Sequence, residues 1–219
     1  MIQPRSIAKQ ILNAYRATVL TRRNMRRNAG KATRRLEIGP GEMRIEGYET
    51  LNIMPGRDVD YVWDATRRLP FADETFDAIY ASHVVEHIAW YQTRDVLADW
   101  TRVLKKGGQI EIFVPNGLKI AKAWIDAEVG GSREFETENW FRYNEEKDPC
   151  LWAAGRFFTY GDGTGDPSHP NWHRAIFSPR YLEKVMLAAG LRDIEQLDAK
   201  AVRGYDHGWI NLGMRGTRP

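Results

Sequence analysis

The segment Arg35-Leu36-Glu37-Ile38-Gly39-Pro40-Gly41 has the residue types of a cradle for a nucleotide-like cofactor. A short apolar strand runs there into a turn with two glycines, Gly39 and Gly41. Because glycine has no Cβ atom, the backbone can turn tightly and approach a ligand closely. Glu37 supplies a carboxylate acceptor for a cationic or hydroxylated group. The segment therefore indicates cofactor binding at the end of a strand.

A second segment, residues 161–173, combines two carboxylates and two imidazoles with glycines and prolines. Hard cations prefer oxygen ligands, so Asp162 and Asp166 are candidate ligands for Mg²⁺ or Ca²⁺. A neutral imidazole suits proton removal near neutral pH, which makes His173 and His169 the first and second candidates for a general base. A solvated, turn-rich loop is the alternative interpretation of this segment.

A third candidate base, His83, stands in the motif His83-Val84-Val85-Glu86-His87. The motif matches the His-x-x-Glu-His pattern of inverted zinc proteases. On a helix, His83 and His87 would share one face and could ligate zinc together with a carboxylate. The motif directly follows a strand that ends at Ser82, however, and this position favours a structural role for His87 in closing the loop.

The elements that position these groups alternate between short apolar strands and helical segments, a pattern typical of an α/β domain. We expect a doubly wound, Rossmann-like, mostly parallel sheet of seven strands with helices on both faces. The predicted strands are 35–38, 49–53, 60–63, 76–82, 109–114, 193–197 and 209–214, the last two forming an antiparallel end. The predicted helices are 90–105, with Gly107-Gly108 as its stop, and 180–189.

Several further motifs follow the glycine turn in a characteristic order. They are Asp64-Ala65, Leu69-Pro70-Phe71, the strand 76–82, Glu86-His87, and the strand 110–115 after a Leu-Lys-Lys-Gly-Gly turn. In this order the chain resembles class I S-adenosylmethionine (SAM) dependent methyltransferases. The resemblance covers residues 34–116 and 172–198, about half of the chain.

The resemblance implies that SAM lies across the carboxyl ends of the parallel strands. The residues expected at the cofactor are Glu37, Gly39 and Gly41 at its methionine part, Asp64 and Ala65 at its adenine, and Ser82 with His83 beyond the fourth strand. The acid that usually ends the second strand, where it would bind both ribose hydroxyls of SAM, is missing, and the amide of Asn52 is expected to replace it. Only seven residues separate Gly41 from Glu49, so the first crossover helix should be very short or absent.

Residues 117–177 form a long insertion that contains eleven aromatic residues. Such a loop is usually functional or holds structure of its own. The rings are expected either to form the core of a small cap or to face a ringed acceptor. Together with the acids and imidazoles, they favour O-methylation of a sugar or glycan hydroxyl, with a histidine base and Mg²⁺ as a candidate second cofactor.

Charge is concentrated at the start of the chain, since residues 1–35 hold ten Lys or Arg and no acid. Residues 1–30 are expected to form a basic helix that packs on the domain, contacts an anionic membrane or another polyanion, or supports a homodimer. The whole chain, 1–219, is expected to be one domain, because its length suits a single core. It lacks an apolar run long enough to span a membrane, which favours a cytoplasmic location.

Three other functions are alternatives to this one. The first is methylation of a lipid-linked or quinone-like small molecule, with the basic helix resting on a membrane. The second is a nucleic-acid-binding protein with a vestigial cofactor fold, in which the early arginines contact phosphates. The third, a dinucleotide-dependent oxidoreductase, is disfavoured because Arg44 stands where the third glycine of Gly-x-Gly-x-x-Gly is required.

Overall fold

Seven strands form one mixed sheet in the computed structural model, which describes residues 15, 18–41, 44–138, 140–159, 166, 168–204 and 206–219. The strands are β1 (Arg35–Ile38), β2 (Glu49–Asn52), β3 (Tyr61–Val62), β4 (Phe76–Ser82), β5 (Leu104–Pro115), β6 (Arg192–Leu197) and β7 (Asn211–Thr217). Their order is β3-β2-β1-β4-β5-β7-β6. Strands β1 to β5 pair in parallel, and β7 runs antiparallel to β5 and β6. The Rossmann-like sheet with an antiparallel end is thus confirmed.

The described helices are α1 (residues 18–28), α2 (Thr93–Val103), α3 (Gly117–Gly130), α4 (Pro149–Phe158) and α5 (Pro179–Ala188). Helix α1 is the part of the predicted basic helix that the structure describes, since residues 1–14, 16 and 17 lie outside the described residues. Asn24 of α1 donates to the Asp60 carbonyl at 2.9 Å, and Asn28 donates to the Tyr61 hydroxyl at 2.8 Å. Helix α1 therefore packs beside β3. The described residues between β1 and β2 form no helix, as expected.

The end of α2 differs from the prediction. The helix stops at Val103, and Gly107-Gly108 lie inside β5 instead of ending the helix. Arg218 explains the difference, because its guanidinium donates to the carbonyls of Arg102, at 2.7 Å, and of Leu104. A side chain distant in sequence thus satisfies the carbonyl groups that a helix end leaves open.

The amino ends of the first three strands are held together by a buried polar network. Arg34, just before β1, makes two hydrogen bonds to the Glu49 carboxylate of β2, at 3.0 and 2.8 Å. Tyr61 of β3 donates to the same carboxylate at 2.6 Å. A bidentate arginine–carboxylate pair of this kind has one favoured geometry, so the network fixes the register of β1, β2 and β3.

The insertion 117–177 contains α3 and α4 and has a small core of its own. This core consists of Ile120, Ala123, Phe135, Trp152, Ala153 and Ile210. Phe135 and Trp152 are almost fully buried, so these two rings serve the cap core and do not face an acceptor. Among the described residues, none of the helices is both long enough and apolar enough to traverse a bilayer.

Candidate active site

A cavity of about 390 Å³ opens at the carboxyl ends of β1 to β4. Strand β1 pairs with β2 on one side and with β4 on the other. The order in which successive strands are added to the sheet therefore reverses at β1. Open α/β sheets bind ligands in the crevice at such a switch point. The volume lies in the range of small-molecule sites, about 300–1,000 Å³.

The turn after β1 supplies one wall of this cavity through Gly39 and Gly41. Gly39 has a φ of +72°, and a Cβ atom there would lie 2.3 Å from Cγ2 of Val84. The Gly39 amide donates to the Leu51 carbonyl at 2.8 Å. Glycine is therefore required at position 39 by both the backbone conformation and the close approach of the loop after β4.

Glu37 lies behind this wall and is only 3% exposed. Its Oε2 atom accepts a hydrogen bond from the Ile45 amide at 2.9 Å, which holds the far end of the glycine loop. Burial raises the pKa of the Glu37 carboxyl, although the Ile45 amide and the charge of Arg44 act in the opposite direction. Glu37 thus supports the loop, and its contact with a cofactor stays a prediction.

The opposite wall contains three more of the predicted cofactor residues, Asn52, Asp64 and Ala65. Asp64 Oδ1 accepts from the amide and the hydroxyl of Thr66, at 3.0 and 2.7 Å, which shapes the turn after β3. The Ala65 carbonyl accepts from the buried indole of Trp100 in α2 at 3.0 Å. Ser82, by contrast, is not among the residues that line the cavity.

The histidine motif after β4 does not form an α-helix. Residues Val85–His87 form a short 3-10 turn, so His83 and His87 do not share a helix face, and the protease-like geometry considered from the sequence is wrong. His83 has a φ of +54°. Its Nδ1 lies 3.2 Å from Glu86 Oε1, and its Nε2 lies 3.1 Å from Asn211 Oδ1. Both ring nitrogens of His83 therefore face oxygen acceptors.

Glu86, His87 and His173 come together behind the cavity. Each offers one ligand atom, and these atoms all lie within 4.8 Å of one another. The amides of Arg174 and Ala175 donate to the Glu86 carbonyl at 2.7 and 3.1 Å, which attaches the insertion to the loop after β4. In the sequence, Glu86 and His87 share one motif and His173 belongs to another segment, and no local pattern predicts that Glu86 and His173 meet.

The charges in this cluster perturb its titration. Burial would raise the pKa of Glu86, but the hydrogen bond from His83 and the charges of His87 and His173 outweigh it and lower the pKa to about 2. The pKa of His173 is lowered, mainly by burial. His207, whose ring lies 4.0 Å from that of His83, has a pKa lowered by burial to about 2. Glu86 is thus anionic and His173 neutral at pH 7.

The remaining candidates lie in the loop before His173. Asp162 lies outside the described residues. Asp166 is exposed, and its Oδ1 accepts from the Ser168 amide at 2.8 Å. Nδ1 of His169 accepts from the Asn171 amide at 3.2 Å. Asp166 and His169 take part in local turns of the loop, and their roles in metal binding and catalysis stay predictions.

Residues 24–112 of the chain match the methyltransferase domain family. This match spans the glycine turn, β1 to β4, the loops after these strands that line the cavity, and most of β5. The chain carries a class I SAM-dependent methyltransferase domain. The glycine wall and the acceptors of Asn52 and Asp64 suit SAM, whose binding follows from the family.

The methyltransferase is also similar to solved structures at low identity. The CurJ carbon methyltransferase is 14% identical, with 85% of this chain and 48% of that chain covered and a TM-score of 0.47. Human N-acetylserotonin methyltransferase, solved with SAM, is 12% identical, with 84% and 47% covered and a TM-score of 0.45.

A SAM-dependent methyltransferase from Archaeoglobus fulgidus is 17% identical, with 92% of this chain and 94% of that chain covered and a TM-score of 0.45. The methyltransferase thus spans about half the length of the first two structures and nearly all of the third. The search of curated proteins gave no match.

Proposed function

We propose that this methyltransferase transfers the SAM methyl group to a hydroxyl oxygen of a sugar or glycan acceptor. The observation that carries the proposal is the lip of the cavity, to which the insertion contributes Ser168, Asn171 and Arg174. These side chains face the same space as the glycine turn and the acceptors of Asn52 and Asp64. A polar lip of hydroxyl, amide and guanidinium groups suits an acceptor that carries several hydroxyls.

An exposed aromatic pair beside this lip supports a sugar acceptor. Trp90 and Tyr91 are 65% and 68% exposed, and their ring centroids lie 5.6 Å apart in an edge-to-face arrangement. The Trp90 amide donates to the Arg174 carbonyl at 3.2 Å, which joins the pair to the lip. The flat apolar face of a sugar ring can stack on an aromatic ring while its hydroxyls contact the lip.

The acceptor proton is assigned to the histidines, with His173 first. Nδ1 of His173 lies 3.1 Å from the Arg156 carbonyl oxygen, which can only accept, so Nδ1 carries the proton and Nε2 keeps its lone pair. The lowered pKa keeps this ring neutral, as a base requires. His169 and His83 remain the second and third candidates, and His83 would first have to give up one of its two hydrogen bonds.

SAM, when bound, supplies an electrophilic methyl carbon on a positively charged sulfur. With SAM in place, the acceptor oxygen would form the new bond to this carbon as the carbon–sulfur bond breaks, and the bonding electron pair would stay on sulfur. The hydroxyl proton passes to Nε2 of His173 and then to water. The chain's main contribution is alignment of the acceptor oxygen. Correct orientation of the reacting groups can lower the activation barrier by up to roughly 7–11 kcal/mol.

The test is product analysis by mass spectrometry after incubation with isotopically labelled SAM and a panel of mono- and oligosaccharides. We expect label on a sugar hydroxyl. The substitution His173→Ala should lower kcat by about 10²–10⁴-fold while the Kd for SAM stays within about twofold. Val129→Ala, on an exposed position of α3, serves as the matched control. SAM binding without label on any sugar would contradict the proposed acceptor.

A second candidate function is methylation of a lipid-linked or quinone-like molecule at an anionic membrane. Helix α1 presents exposed Val19 and Leu20 next to exposed Arg22 and Arg23, a combination found in membrane-surface helices. Flotation with anionic vesicles tests it, since this function requires binding that is lost together with activity when residues 1–30 are deleted. Steeply salt-dependent retention on RNA would instead favour nucleic-acid binding.

A further inference from the structure

The cluster of Glu86, His87 and His173 combines the ligand types of a transition-metal site. Two imidazoles and one carboxylate, with room for further ligands, are the donor set of many zinc and non-haem iron centres. The three ligand atoms lie within 4.8 Å of one another. Bonds of about 2.0–2.2 Å would bring them about 3–3.5 Å apart, which small rotations of the three side chains can achieve.

A second observation concerns the free oxygen of Glu86. The residue is 2% exposed, and Oε2 is buried without a hydrogen-bond partner among the described residues, whereas Oε1 is held by His83. A buried carboxylate oxygen without a partner is costly, because it has lost its water and gained no other donor. A bound cation would satisfy it.

The two imidazoles are already oriented as metal ligands usually are. Nδ1 of His87 lies 3.3 Å from the Trp172 carbonyl oxygen, and Nδ1 of His173 lies 3.1 Å from the Arg156 carbonyl oxygen. Each carbonyl fixes the proton on Nδ1 and leaves the lone pair on Nε2. Ligand histidines commonly donate their second ring nitrogen in this way.

We propose that Glu86 Oε2, His87 Nε2 and His173 Nε2 bind a divalent first-row transition metal such as Zn²⁺. Glu86 and His173 also line a cavity of about 10 Å³ beneath the insertion, while His87 lines the cofactor cleft. The metal would thus sit between the two spaces. Two nitrogen ligands favour this class of metal over Mg²⁺, which prefers oxygen.

The role of the metal rests on the proposed function, whereas its binding does not. An acceptor hydroxyl that reaches the metal would have its pKa lowered and would release its proton to water, so His173 would act as a ligand instead of a base. The bonds made and broken during methyl transfer stay the same.

The first test measures binding of Zn²⁺ alone to the full chain by equilibrium dialysis and metal analysis. We expect one Zn²⁺ per chain, with at least tenfold weaker binding in His87→Ala, His173→Ala and Glu86→Gln. His169→Ala and Asp166→Asn are the matched controls, because they remove the other imidazole and carboxylate of the same region, and both should bind as the wild type does. Absence of stoichiometric Zn²⁺ in the wild type would overturn the proposal.

A spectroscopic readout covers the case in which a variant does not fold. Co²⁺ bound to the wild type should give visible absorption bands of nitrogen and oxygen coordination, and Zn²⁺ should displace them. Loss of metal in Asp166→Asn, with retention in His173→Ala, would place the site in the loop and overturn the proposal.

The final test separates the metal from the methyltransferase activity. The Kd for SAM, measured by calorimetry with and without chelator, reports on the cofactor cleft alone. Chelation should abolish methylation of the sugar without raising the Kd for SAM. Added Zn²⁺, Mn²⁺ or Co²⁺ should restore the methylation. Activity that survives complete chelation but is lost in His173→Ala would leave the imidazole as the base and overturn the metal's role.

Discussion

The turn at Gly39 allows a quantitative test of how the cofactor cleft is built. Substitution Gly39→Ala places a methyl group in a backbone conformation with φ of +72° and 2.3 Å from Val84 Cγ2. The left-handed conformation costs a non-glycine residue about 1–2 kcal/mol. Overpacking against Val84 adds about 1–3 kcal/mol. We therefore expect Gly39→Ala to lower the free energy of unfolding by about 2–5 kcal/mol.

Gly41 provides the matched control for this substitution. It also has a positive φ, +60°, but a Cβ atom there would have no described atom within 4 Å. Gly41→Ala should therefore cost only the conformational part, about 1–2 kcal/mol. Urea denaturation at 25 °C of both variants gives the two costs, and their difference is the steric contribution of Val84.

Val84→Ala in the Gly39→Ala background isolates that contribution. In a double-mutant cycle the two substitutions should couple by about 1–3 kcal/mol, since the smaller side chain relieves the overlap. SAM affinity, measured by calorimetry, should fall at least about tenfold in Gly39→Ala, equivalent to about 1.4 kcal/mol. Equal stability of Gly39→Ala and Gly41→Ala, or no coupling with Val84, would refute the reasoning.

Three further predictions address the cofactor contact, the cap and the pH dependence. Asn52→Asp should lower the Kd for SAM by about three- to tenfold in calorimetry, because a charged acceptor makes stronger hydrogen bonds; weaker binding would contradict the ribose contact. Glu138→Gln removes the carboxylate 2.6 Å from Arg156 Nε, where both side chains are buried, and should lower the free energy of unfolding by about 3–5 kcal/mol in urea; a loss below about 1 kcal/mol would show that the pair contributes little. Burial acts to raise the pKa of Asp77, but the hydrogen bonds from Lys105 and the Arg34 amide, together with the charge of Lys105, outweigh it and the pKa is lowered. The stability that Asp77 contributes should thus be complete above about pH 4, its unfolded pKa, and lost as the pH falls through the lower folded pKa; a difference between wild type and Asp77→Asn that stays constant from pH 7 to 2 would be inconsistent with this assignment.

Local patterns predicted the sheet and the cofactor side of the cleft. Strands such as 35–38 and 76–82 follow from short apolar runs, and the carboxyl ends of parallel strands meet at one edge. Gly39, Asn52 and Asp64 therefore line one cavity, and their contact with SAM stays a prediction. Such placement depends on backbone topology, which sequence patterns constrain well.

The histidine cluster could not be predicted in the same way. The contact between Glu86 and His173 depends on how the insertion folds back onto the loop after β4, through hydrogen bonds between residues distant in sequence. Likewise, α2 ends where Arg218 binds its last carbonyls, and not at the local glycine signal. Sequence patterns give local preferences, whereas these features depend on tertiary contacts.

The insertion leaves and rejoins the sheet at one point, because the Gly117 amide donates to the Phe177 carbonyl at 2.8 Å and Asn116 bridges to Phe177. A segment with adjacent ends can be exchanged for another without altering strand order. Acceptor preference could therefore be re-engineered by grafting this module alone. A graft must still supply an imidazole in the place of His173 and an apolar surface for Ile210, which belongs to the loop before β7 and packs into the cap.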